Sequence, residues 1–291
     1  MCILFFYLSE ICSIDGYKLV LVNNRDETWD RPTKATSFWD HDSSCISGLD
    51  QMSGRSGGTW LGMSREGKIG VLLNILGQQD HTKEGRGFLV TNFISGKHDI
   101  HDYAQEILEQ KNKYNGFNLI LFDMGKQEDY LPVKPVYVSN ASNYFSCVNM
   151  RTLPSNTSFA VSNSPLEYPF QKVMHGRERF GRIISQFPTV NMKGHLIQEL
   201  FTLMSDQSSL LPDPVLEKAA VVAGLPPHRV SHQSAINVYS PDDRYGTTIT
   251  TIILVDSQGT VDFIEHTLNP ANQGGNNISE VHEIFSLSQI G

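Results

Sequence analysis

Three things are missing from this chain: a run of five or more like charges, a C-x-x-C pair, and an apolar stretch approaching 18 residues. The absence of charge runs argues against a nucleic-acid footprint or a polybasic membrane anchor. The four cysteines, Cys2, Cys12, Cys45 and Cys147, have neither metal-ligand spacing nor the even ladder of a secreted disulfide domain. That usage predicts a reduced compartment and no structural metal. The start, M-C-I-L-F-F-Y-L, lacks a basic flank and is too short for a signal core or a membrane span. Internal repeats, low-complexity tracts and long linkers are also missing. A cytoplasmic protein without a transmembrane segment is expected, with small molecules or proteins as partners and no nucleic acid.

What is present is a 291-residue chain, 40% hydrophobic, with a formal charge of −8. That is enough to bury a sizeable core, and residues 1–291 read as a single domain. Cys2 to Leu8 and Tyr17 to Val22 are apolar on both faces, and Asp15-Gly16 between them signals a hairpin. Thr59 to Met63 and Ile69 to Leu76 form a second such pair. Helical spacing runs from Gly87 to Gln110 with a break at Ser95-Gly96, and strand character returns at Phe117 to Phe122, Val133 to Val138 and Phe159 to Ser162. Phe170, Val173, Phe180, Ile184 and Phe187 share one helix face; Leu196, Leu200 and Leu203 share another. Ala235 to Tyr239, Thr247 to Val255 and Val261 to His266 read as late strands, and the Pro-rich stretch from Ser205 to Val230 reads as a loop. Strands first, helices in the middle and strands last predict a layered α+β fold rather than a doubly wound one.

The second strand raises a question, because L-V-L-V runs directly into Asn23, Asn24, Arg25, Asp26 and Glu27. In an antiparallel hairpin the end of that strand lies beside the start of the first, which is Cys2. If Met1 is removed, Cys2 carries a thiol and an α-amine on one residue, a nucleophile with a built-in base. Arg25 and Asp26 would then orient the amine and tune the thiol. Two plainer readings stand beside this one: Cys2 as a small buried hydrophobe, and the charges as a solvated strand end closed by a salt bridge.

Taken together, M-C-I, N-R-D-E at 24 to 27, R-P at 31 and 32, G-G-T-W-L-G at 57 to 62, Y-N-G-F-N-L at 114 to 119, S-N-S-P at 162 to 165 and Y-G-T before T-I-I-L-V-D resemble the transport and Golgi organisation protein 2 family. The motifs keep their order over most of the chain. The resemblance implies a fold similar to the N-terminal-nucleophile hydrolases, a four-layer αββα sandwich. It also implies haem as cargo in intracellular trafficking, links to Golgi and mitochondrial membrane organisation and their membrane proteins, and lipid or acyl-coenzyme A handling. No cofactor is required.

By that resemblance Cys2, Asn24, Arg25, Asp26 and Glu27 form the signature site. A looser similarity to bile salt and penicillin V hydrolases assigns Asn74 and Asn163 as oxyanion donors, a role suited to an amide that stabilises charge without proton transfer. Trp60 and Trp29 could line an apolar ligand pocket, although tryptophans are also core residues. One departure is Thr248, where the family often has arginine; Arg244 on the preceding turn is the basic residue that could stand in. Ser164, Pro165 and Glu167 also fit a capping box that starts a helix. His98 and His101 sit at helical spacing among charged neighbours that suggest a helix start. Phosphate-binding cations for a coenzyme are scattered: Arg25, Arg31, Lys34 and Arg55.

Overall fold

A computed structural model describes residues 2–125, 127–128, 131–132, 134–141, 147–268 and 278–288, so Met1 lies outside the described residues. The chain begins with β1 (Ile3–Leu8), β2 (Tyr17–Thr28), β3 (Thr33–Phe38), β4 (Cys45–Asp50), β5 (Leu61–Ser64) and β6 (Lys68–Asn74). Helices α1 (Phe88–Ser95) and α2 (Ile100–Glu109) follow, then β7 (Phe117–Asp123), β8 (Gln127–Glu128), β9 (Leu131–Pro132), β10 (Val136–Ser139), β11 (Met150–Thr152) and β12 (Ser158–Val161). Four helices come next, α3 (Gln171–Gln186), α4 (Lys193–Met204), α5 (Pro214–Ala223) and α6 (Pro227–Gln233). The last strands are β13 (Tyr239–Ser240), β14 (Tyr245–Asp256), β15 (Thr260–Leu268) and β16 (Ile278–Ser286).

These elements form two compact units, one of Met1–Asp30, Leu76–Gln78 and Ser155–Phe285, the other of Arg31–Ile75, Gln79–Pro154 and Ser286–Gly291. In the first, the sheet order is β12-β1-β2-β14-β15-β16, with β13 paired to β14. The sequence dictates why β1 and β2 are central: Ile3, Leu4, Phe5 and Phe6 are fully buried, and burial continues from Leu19 through Asp26, so neither strand has a solvent face. Phe5, Val20, Val22, Ile252 and Leu254 share one core with Phe170, Phe180, Leu196, Leu200, Leu203 and Leu216, which seats the helical layer on this sheet. Each such side chain contributes about 1.5–3 kcal/mol by leaving water.

The second unit has sheet order β11-β10-β7-β6-β5-β4-β3. Leu72, Leu119, Leu121, Val136 and Val138 pack there against Leu89, Val90, Phe93, Tyr103, Ala104 and Ile107 of α1 and α2. Gly62 and Gly70 pair across β5 and β6. A Cβ on Gly62 would come within 2.7 Å of Ile94 and one on Gly70 within 3.0 Å of Val90, so the two glycines form the flat seat of α1. Each unit therefore supplies one sheet and one helical layer, the components of an αββα arrangement, and the fold is α+β as expected.

Three local expectations are corrected. The Ser205 to Val230 stretch contains α5 and the start of α6, because its Pro and Gly residues are caps rather than breakers. Pro214 occupies the first turn, the Asp213 side chain accepts the Leu216 N–H at 3.0 Å, and Gly224 ends the helix in the left-handed region at φ 67°. Ser164, Pro165 and Glu167 start no helix; α3 begins at Gln171 after Pro169, and its first N–H donates at 2.7 Å to the same Asp213. Only Tyr239 of the stretch from Ala235 to Tyr239 is in a strand.

Candidate functional site around Cys2

β1 lies between β2 and β12, with Ile3 paired to Asn24 on one side and Leu4 to Val161 on the other. Continuing both antiparallel registers sets Cys2 between Arg25 and Asn163. This answers the question posed by the charged strand end: β2 does not stop at Val22 but runs to Thr28, carrying its polar residues along the flank of Cys2. Cys2, Asn23, Asn24, Arg25 and Asp26 are all buried. A buried group of this kind persists only when its members bond to one another.

The neighbouring strand β14 supplies much of that bonding. Thr250 donates to Asn24 Oδ1 at 2.6 Å, while Asn24 Nδ2 donates to the carbonyls of Met204 at 2.9 Å and Ile236 at 3.2 Å. Asn24 thus ties the sheet to the end of α4. Thr247 donates to Asp26 Oδ1 at 2.6 Å, and the Tyr245 hydroxyl donates to the Asp26 carbonyl at 3.3 Å. The β2–β14 register slips between Thr247 and Ile249, which makes Thr248 a bulged residue. Its hydroxyl accepts from Arg25 Nη1 at 3.2 Å, so this position holds a neutral acceptor for Arg25.

On the other flank, Ser162 Oγ lies 2.7 Å from the Cys2 carbonyl, to which it donates, and 3.2 Å from Asn163 Oδ1. Asn163 is itself buried, and its backbone carbonyl accepts the Leu76 N–H at 2.8 Å. This geometry sets the Asn163 amide next to Cys2, with its oxygen facing Ser162.

Lys172 was not anticipated. It is fully buried on α3, and its Nζ donates to the Ala235 carbonyl at 3.0 Å. Burial lowers its pKa, while Asp26, Cys2 and Asp213 pull it back up. A signal for it did exist: Lys172, Gly176, Phe180 and Ile183 follow helical spacing, which puts the lysine on the apolar stripe.

Burial also sets the other ionisations. It pushes the Cys2 thiol above the ordinary thiol value; Asp26 adds to the rise and Arg25 opposes it. It raises the Asp26 carboxyl as well, against the pull of Lys172 and the Thr247 hydroxyl. Tyr245 is raised well above a normal phenol by burial and by Asp26, Cys2 and Glu27, so it stays a proton donor. Cys2 therefore rests as a thiol, and its activation needs a base within reach.

The remaining anticipated residues have different settings. Glu27 is half-buried on β2 and accepts the Thr28 N–H at 2.9 Å. Arg244 is exposed on the turn before β14 and is not one of the buried residues around Arg25. Asn74 and Trp60 belong to the second unit. Asn74 closes β6 with an exposed side chain. Trp60 is buried against Gly48, where an added Cβ would sit 2.7 Å from the indole, which matches the core reading. Trp29 stacks on Tyr239 at 5.8 Å. His101 lies in the first turn of α2 behind the Asp99 cap, and His98 packs on Tyr103. Among the described residues, no group of three or more His, Cys, Asp or Glu is placed to hold a metal ion, and no helix is long and apolar enough to cross a membrane.

Comparison with known proteins adds three findings. A family profile described as transport and Golgi organisation 2 matches residues 1–270. The Homo sapiens transport and Golgi organization protein 2 homolog is 35% identical over 270 residues, covering 92% of this chain and 93% of that one, and the Mus musculus homolog is 34% identical with the same coverage. A solved Caenorhabditis elegans N-acylethanolamine-hydrolyzing acid amidase ortholog aligns over 86% of this chain and 92% of its own, at 9% identity and a TM-score of 0.44.

Proposed function

The chain belongs to the transport and Golgi organisation 2 family, and from that premise we propose that its working centre is Cys2, acting as an N-terminal cysteine nucleophile on a C–N amide bond. The observation that carries the reading is the double register of β1, which flanks Cys2 with Arg25 and Asn163. With Met1 removed, the α-amine of Cys2 takes the thiol proton, which a thiol held in its neutral form by burial requires. The sulfur attacks the carbonyl carbon, forming a C–S bond and an oxyanion that the Asn163 amide N–H stabilises. The ammonium returns the proton to the departing nitrogen as the C–N bond breaks, and water then hydrolyses the thioester. Asp26, fixed by Thr247, orients the ammonium, and Lys172 balances the Asp26 charge. An acyl group trapped on Cys2 from a panel of acyl-aminocoumarin amides, and absent from Cys2→Ala, is the expected result. Turnover by Cys2→Ala at the wild-type rate would end the assignment.

A second reading, intracellular haem trafficking with links to Golgi and mitochondrial membranes, is favoured by the length of the family match. It predicts saturable spectral change on titration with ferric or ferrous haem and failure of haem-dependent reporters when the protein is lost; the absence of both would remove it. Acyl-coenzyme A binding draws less support, because Arg31 is paired with Asp50 at 2.6 Å and Lys34 with Asp40 at 2.8 Å.

A further inference from the structure

Arg229 of α6 takes no part in the bonding described so far, yet it lies beside it. Its guanidinium sits over the Tyr245 ring, 5.0 Å from the centroid. Asp243 lies 3.2 Å from its Nε and is held in turn by the Ser240 hydroxyl at 2.6 Å, with His228 Nε2 at 3.5 Å. That Nε is buried and has no aligned acceptor among the described residues, so Asp243 attracts Arg229 as a charge without directing it. The Tyr245 ring is the other group that holds the guanidinium.

Tyr245 leads from there to the nucleophile. It pairs with Thr28 at the head of β14, and its hydroxyl reaches back along β2 to the Asp26 carbonyl at 3.3 Å. That is long for a hydroxyl bond, so the bond depends on where the ring is held. Asp26 needs holding, because the β2–β14 register slips just past the Asp26–Thr247 pair and the ladder is irregular between it and Arg25. Thr247 fixes the carboxylate, and Tyr245 fixes the main chain. The main chain matters because the Asp26 N–H donates to the Cys2 sulfur. Burial raises the thiol, and this bond is among the effects that oppose it. A donor on sulfur favours the thiolate, which is the reactive form.

We propose that Arg229 is a positioning residue for Cys2: by holding the Tyr245 ring it keeps the Tyr245 hydroxyl on the Asp26 carbonyl, and with it the Asp26 N–H on the Cys2 sulfur. The proposal rests on Cys2 being the working nucleophile. Besides the α-amine, the ionisable groups facing the sulfur are Arg25 and Asp26 on β2, Tyr245 on β14 and Lys172 on α3. Arg229→Met leaves all of them in place.

The test reads iodoacetamide alkylation of Cys2 against pH in the full chain, with Cys12 as an internal reference, and it needs no turnover. Arg229→Met and Tyr245→Phe are each expected to slow Cys2 alkylation about three- to tenfold near neutral pH and to raise the midpoint of its profile by about 0.5–1 pH. Tyr245→Phe keeps the ring and its packing, so it separates the hydroxyl from the fold. Because Arg229 acts through that hydroxyl, the double variant should match Tyr245→Phe within about twofold. An unchanged Cys2 profile in Arg229→Met overturns the proposal. So do additive effects in the double variant, or an equal slowing of Cys12, which would report a general loosening. Acyl trapping run in parallel tests the nucleophile reading by itself: if no amide acylates Cys2 that reading ends, while the alkylation profile still decides the place of Arg229.

Discussion

Thr247 holds more of the site than its size suggests, because its hydroxyl donates to Asp26 at 2.6 Å and accepts the Val238 N–H at 3.0 Å. Thr247→Val removes one bond from each of these two buried partners, so chemical denaturation should show a loss of about 1–3 kcal/mol, largely recovered in Thr247→Ser. Lys172 makes a different prediction. A lysine whose native pKa lies below its ordinary 10.5 carries fewer protons folded than unfolded between those values. Stability therefore rises with pH across that window, and Lys172→Met should abolish the rise. A pH series of denaturation curves that keeps the same slope in the variant would contradict the burial-driven shift. Cysteine labelling offers a further check: burial pushes Cys45 up to about 12, whereas Cys12 and Cys147 are half-buried. Iodoacetamide at mildly alkaline pH should mark Cys12 and Cys147 and spare Cys45. Of these residues, the N-R-D-E group could be read from sequence because charges after an apolar strand need a reason. Lys172 was legible only by its helical spacing to Gly176, Phe180 and Ile183, a weak signal because the stripe of α3 is recognised by its aromatic members.

Helix α3 carries a paired experiment on glycine. Gly176→Ala drives a methyl into Phe5 and should cost about 1–3 kcal/mol despite alanine's better helix propensity. Gly181→Ala meets no such obstacle and should be neutral or stabilising by up to about 1 kcal/mol. Equal effects at the two positions would mean that α3 does not sit on β1 as described. Asp213 joins two helices, accepting from Gln171 at the head of α3 and from Leu216 in α5. Asp213→Ala removes both caps and should cost about 2–4 kcal/mol by thermal or chemical unfolding. The strands β1, β2, β7, β14 and β15 and the helix pair α1–α2 were readable because their apolar runs or periodicities are long. Helix α5 was not, since the residues that cap it are the same ones that mark loops. The bulge at Thr248 was hidden for another reason: a register slip is a property of two strands, and neither one alone records it.

Three separate stretches of the chain build the unit that holds the site, Met1–Asp30, Leu76–Gln78 and Ser155–Phe285. That interleaving explains how Cys2, Arg25, Asp26, Asn163, Lys172 and Thr247 come together although they are spread over most of the sequence. Hairpin logic could connect Cys2 to the end of β2, because both lie in one local element. Only the sheet order, with β12 on one side of β1 and β14 beyond β2, adds Asn163 and the threonines. The central claim is that Cys2 works as a residue with a free α-amine. An intact-mass spectrum of the native purified protein, followed by fragmentation of the N-terminal peptide, tests it most directly. The account predicts that Met1 is absent and that Cys2 carries an unmodified amine; retained Met1 or an acetylated Cys2 would contradict it.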